Sequence, residues 1–76
     1  MPAQLAGLTK SEWELILAEA CYSQLDEDIV RHYIMKGLCQ IEVGGELDRT
    51  RQTIHNHLRS RIFPRAQEVA TKLHII

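Results

Sequence analysis

From Thr9 onward the apolar positions fall at helical spacing. Trp13, Ile16, Leu17, Ala20 and Cys21 recur on one face, with Lys10, Glu12, Glu14 and Glu19 between them. Thr9 suits the N-cap of this helix, Glu12 closes a capping box with it, and Leu8 is placed to staple against Trp13. A second helix follows over residues 23–37. Asp26, Glu27 and Asp28 complement its N-terminal dipole, Ile29, Val30, Tyr33 and Ile34 form its stripe, and Gly37 ends it. The pattern then predicts a short helix over residues 40–47, a tight break at Asp48-Arg49 and a longer helix from Thr50 to about Ile62. Pro64 is expected to end that helix, because a residue before proline is pushed out of the helical region. Residues 64–76 can form one more short helix with Val69, Ala70 and Leu73 on a face. Residues 1–7 show no periodicity and read as a loose arm. Before the last few residues nothing alternates like a strand. The expectation is an all-α protein, a small bundle of four to five helices, forming one domain over residues 1–76 with its core in residues 8–63.

The segment around Asp48 has helix-turn-helix spacing over residues 40–62. Val43 and Leu47 face Ile54 and Leu58 across the turn, and Gly44 sits where a larger side chain would push the two helices apart. Asp48 falls where the chain must adopt φ > 0, which aspartate tolerates better than most residues. Thr50 is placed to cap the second helix. The expected core comprises Trp13, Leu17, Ile34, Val43, Leu47, Ile54 and Leu58.

Turning Ile54 and Leu58 inward places Gln52, His55, Asn56 and Arg59 outward, with Arg51 on the shoulder. These side chains can read bases: arginine forks onto guanine O6 and N7, and an amide pairs with adenine N6 and N7. Thr50, Thr53 and the free amides of the first turn can hold phosphate, as can Arg61 and Arg65 if they reach the flank.

Charge supports this reading through its distribution, not its sum. The chain of 76 residues has a formal net charge of -1 and is 45% hydrophobic, so bulk charge would not hold a polyanion. Carboxylates crowd the stretch from Glu12 to Asp28, whereas Arg49, Arg51, Arg59, Arg61 and Arg65 cluster after Asp48. The chain is too small for a roomy two-layer cleft. It carries no nucleophile-base pair, glycine-rich phosphate loop or carboxylate pair, so an enzyme is the least favoured class. His55 and His57 point to different sides of a helix with no Cys or carboxylate at ligand spacing, and neither a metal nor a cofactor is expected. Cys21 and Cys39 read as reduced residues on apolar faces, Trp13 and Tyr33 as core, and Glu12, Glu14 and Glu19 as a solvated face. No apolar run approaches the ~20 residues that span a bilayer. The expected setting is the cytoplasm, and no small-molecule effector is evident in the sequence.

"LTKSEWELILAEA" followed by "QIEVGGELDRTRQTIHNHL" resembles the KorA/TrfB type of plasmid-borne transcriptional repressor over residues 8–63. In these small bacterial helix-turn-helix proteins a Leu-Thr start opens the first helix and a Thr-Arg pair opens the recognition helix. The segment "YIMKGLCQIEV" is similar to the PapB-type regulators of adhesin biosynthesis. The first resemblance implies a nucleoid-associated homodimer on palindromic double-stranded DNA operators, with Thr50, Arg51, Gln52, His55, Asn56 and Arg59 facing DNA. The apolar segment after Pro64 is one candidate for the dimerisation surface, and folding back onto Trp13 is the other use open to it. The alternative function is a protein-docking module without DNA binding.

Overall fold

Thr9 opens its helix as the capping box requires: its hydroxyl accepts from the Glu12 N–H at 3.2 Å, and the Glu12 carboxylate accepts from the Thr9 N–H at 2.8 Å. The same chemistry starts the next helix, where the Ser23 hydroxyl accepts from the Asp26 N–H at 3.3 Å. The computed structural model describes residues 1–76. In it the helices are α1 (Ala3–Ala6), α2 (Lys10–Ala20), α3 (Gln24–Val30), α4 (Gln40–Leu47), α5 (Arg51–His57) and α6 (Phe63–Lys72), with no strand. Two of them do not end where these ranges end. A π turn, Arg31–Met35, extends α3, and a second, Leu58–Ile62, joins α5 to α6 without a break. The result is an all-α bundle of five helical bodies.

Several expectations change here. Residues 1–7 are not a loose arm. Pro2 precedes a helical turn whose Leu5 is completely buried, and α1 packs against α6. A lone apolar side chain carries no periodicity, so only its docking reveals its role.

Pro64 does not end the helix that begins at Arg51. Phe63 keeps helical angles (φ -64, ψ -44), and its N–H reaches back five residues to the Leu58 carbonyl. The extra residue of a π turn lets proline enter at the start of α6, where its missing N–H and its ring are tolerated. Residues 64–76 are therefore no separate helix. At about 1.5 Å per residue the continuous helix over residues 51–72 is about 33 Å long, matching the 34 Å long axis of the molecule.

The C-terminal half of this long helix packs against α2, the arrangement in which the segment after Pro64 completes the core. Val69 and Ala70 are buried, Leu73 and Ile75 are partly buried against the core, and Ile76 alone of the apolar tail is exposed. His74 adopts φ 59, which lets the Ile75 N–H close on the Ala70 carbonyl at 2.8 Å.

The core draws Trp13, Ile16 and Leu17 from α2, Ile29 and Val30 from α3, Val43 from α4, and Ile54, Leu58, Ile62 and Val69 from the long helix. Of the expected core, Ile34 and Leu47 are only partly buried. Ile34 lies in the first π turn, and Leu47 is the last residue of α4. Tyr33 is also half-buried. The cysteines are free but not core: Cys21 is exposed at the left-handed end of α2 (φ 55), and Cys39 is exposed at the start of α4. The acidic face of α2 is partly engaged, since Arg31 bridges Glu14 (2.8 Å) and Glu27 (3.1 Å), and Lys72 meets Glu19 at 3.6 Å. Exposed pairs of this kind contribute little to stability, because water and salt screen them.

Candidate nucleic-acid interface

The turn between α4 and α5 is built from backbone contact. An added Cβ on Gly44 would lie 2.6 Å from the Arg49 carbonyl oxygen and 3.5 Å from the Arg51 nitrogen, so only glycine lets the chain re-enter this closely. Asp48 takes the expected left-handed conformation (φ 56, ψ 48), and the Arg49 N–H closes on the Gly44 carbonyl at 2.8 Å. The Arg49 guanidinium donates to the Leu47 and Asp48 carbonyls at 3.4 and 3.2 Å, placing its charge at the carbonyl end of α4. Across the turn, the Thr50 hydroxyl accepts from the Thr53 N–H at 3.1 Å and caps α5. At the other end of α4, the Glu42 carboxylate accepts from the Cys39 N–H at 3.0 Å, and this bond holds the Glu42 carboxyl below its usual range. The cap is therefore strongest above the ordinary carboxylate pKa and is lost as pH falls through the lowered one.

With Ile54 and Leu58 buried, Arg51, Gln52, Asn56 and Arg59 are all exposed along the outer side of the long helix. Gln52 donates its amide N–H to the Asn56 Oδ1 at 3.0 Å, fixing the two amides relative to each other. Thr50 and Thr53 share a hydroxyl contact of 2.9 Å at the helix start. Arg51, Arg59 and Arg61 make no ion pair, whereas Arg31 and Arg65 do. Arg65 is not gathered with this set. Its Nε donates to the Ala20 carbonyl at 3.1 Å and its Nη1 meets Glu68 at 3.1 Å, so it caps the end of α2. His55 is only half-exposed and faces a groove it shares with Tyr33 and Gln40.

Two supports for the face were invisible in the sequence. The His57 Nδ1 contacts the Asp26 Oδ1 at 2.7 Å, and this carboxylate of α3 is the one buried acid of the protein, at 5% exposure. His57 thus has a partner of its own on the inner side of the helix, away from Asn56 and Arg59. His57→Ala is expected to cost about 1 to 2 kcal/mol, because it leaves the Asp26 carboxylate without its donor. Thermal unfolding checks this, and an unchanged midpoint would mean that the pair contributes nothing. The second support is the Tyr22 hydroxyl, which donates to the Ile62 carbonyl at 2.7 Å inside the π turn. Burial, and then the nearby Asp26 charge, push the Tyr22 phenol well above its usual 10.0, while Arg65 opposes them. Its contribution to stability is full below about pH 10 and declines as pH rises beyond that toward the raised value.

No group of three or more His, Cys, Asp or Glu stands close enough to hold a metal ion, and no helix is long and apolar enough to cross a membrane. Compared with protein-family profiles, characterised proteins and solved structures, the chain matches none of them.

Proposed function

We propose that this chain is a sequence-specific regulator that binds double-stranded DNA through the major groove, a repressor of the KorA/TrfB type acting as a homodimer on palindromic operators in the bacterial cytoplasm. One observation carries the reading. A Gly44-Arg49 backbone contact and a left-handed Asp48 set α4 against a helix whose exposed side presents Arg51, Gln52, Asn56 and Arg59, with both arginines free of carboxylate partners. A dimer is part of the proposal because one recognition helix contacts only a few base pairs, and two half-sites about one helical turn apart supply the missing affinity.

Selection of bound duplexes from a random library, followed by titration in varied salt, tests the reading. Arg51→Ala and Asn56→Ala are each expected to weaken binding by about 1 to 3 kcal/mol and to relax specificity at their own base positions. Arg61→Ala is expected to weaken all sequences alike and to lower the salt slope by about one. Arg65→Ala serves as the internal contrast: with its guanidinium held by the Ala20 carbonyl, it should change stability and leave DNA affinity nearly unaltered. Absence of binding to any duplex at low salt would leave the protein-docking module as the function.

A further inference from the structure

Beside the proposed recognition helix lies a groove that shares Arg51, His55 and Arg59 with the DNA-facing set and otherwise lies outside it. Two adjoining cavities of about 420 and 700 Å3 share Met1, Tyr33, Gln40 and His55 and run between the first π turn, the start of α4 and the long helix. Their size falls in the range of small-molecule sites. The walls are mixed in polarity, with apolar groups gathered as Leu58 and the Tyr33 and Phe63 rings at one end and as Ile34, Leu38 and Ile41 at the other.

Three features indicate an occupant of particular chemistry. Both π turns contribute to the lining, Tyr33 and Ile34 from one and Leu58 and Arg59 from the other. Such turns are rare and recur at functional sites. The lining is also one-sided in charge: it includes Arg51, Arg59 and His55 but none of the ten acidic residues of the chain. Finally, the Gln40 Oε1 is the single buried side-chain oxygen or nitrogen without a hydrogen-bond partner, and Gln40 borders both cavities. An acceptor left unmatched in this way is costly, and rotating the Gln40 side chain turns its oxygen toward the groove, where a donor can meet it.

We propose that this groove binds a small planar aromatic carboxylate that also carries a hydrogen-bond donor. Its ring lies among Tyr33, Leu58 and Phe63, its carboxylate takes the guanidinium of Arg59 or Arg51, and its donor meets the Gln40 amide oxygen after rotation of that side chain. A further consequence rests on the DNA-binding reading: because Arg51, His55 and Arg59 belong to both surfaces, the bound ligand and the operator compete.

The probe is 6-hydroxy-2-naphthoate, titrated into the full chain and followed by calorimetry and amide NMR shifts. Saturable one-to-one binding is expected, with shifts centred on Tyr33, Gln40, His55 and Phe63. Removing the carboxylate, as in 2-naphthol, is expected to weaken binding about tenfold or more, and masking the donor, as in 6-methoxy-2-naphthoate, several-fold. Arg59→Gln is expected to reduce the affinity for the carboxylate probe while leaving that for 2-naphthol unchanged. Arg59 is exposed and unpaired, so this variant should keep its fold, which circular dichroism confirms. No saturable binding, shifts centred elsewhere, or equal affinity for all three compounds would overturn the site. The operator arm is separate: a probe that binds the groove without displacing selected DNA overturns the competition alone, and a protein that binds the probe but no DNA overturns the repressor reading while upholding the site.

Discussion

Trp13→Ala is expected to lower stability by about 3 to 5 kcal/mol, the usual cost of emptying a buried indole site. Trp13 is 2% exposed on α2, the helix that packs against α6, and it is the largest of the fully enclosed side chains. A domain of this length has a total stability of roughly 4 to 11 kcal/mol. The substitution therefore removes a large share of it, and the variant should be partly unfolded near physiological temperature. The rest of the buried core consists of Ile, Leu, Val and Ala side chains held on helices, and they have little freedom to collapse into the space left. Urea unfolding followed by far-UV circular dichroism measures the effect. A loss below about 1 kcal/mol would place the indole at the surface.

The two adjacent glycines of α4 are expected to respond in opposite directions to the same change. At Gly44 an added methyl meets the Arg49 carbonyl oxygen at 2.6 Å, and that neighbour is backbone with no rotamer to change. Gly44→Ala is accordingly expected to cost about 2 to 3 kcal/mol, even though alanine is the better helix former. Because relief requires α4 and α5 to separate, any binding that depends on their relative placement should fall with it. Gly45 faces open space, so Gly45→Ala carries only the propensity gain and should stabilise by about 0.5 to 1 kcal/mol. Paired thermal melts decide the matter. If both variants shift the same way, the close approach at Gly44 is not what shapes the turn.

What the sequence determined by itself lies within a few residues of each signal. The Thr9-Glu12 box, the Thr50 cap, the left-handed Asp48 and the crowding at Gly44 were all legible, because capping and turn formation join groups three to five positions apart. Helical spacing likewise identified Trp13, Leu17, Val43, Ile54 and Leu58 as core, and it turned Arg51, Gln52, Asn56 and Arg59 outward. The errors share a different cause. Leu5 had no period to announce it, and Leu47 and Ile34 fitted their stripes but lay where no element covers them fully.

The remaining features depend on pairings that no local pattern encodes. Asp26 meets His57 across 31 positions, Tyr22 reaches Ile62 across 40, and Arg65 is drawn to Ala20 across 45. Those contacts determine which histidine turns inward, which arginine leaves the outer face, and where the helix is held as it passes Pro64. The groove of Tyr33, Gln40, His55 and Phe63 arises in the same way, since its walls come from three elements that only folding brings side by side. Local hydrogen bonding and periodicity fix elements and their faces. The positions of those faces relative to one another follow from side-chain packing over long sequence separations, and that packing is set by the tertiary structure alone.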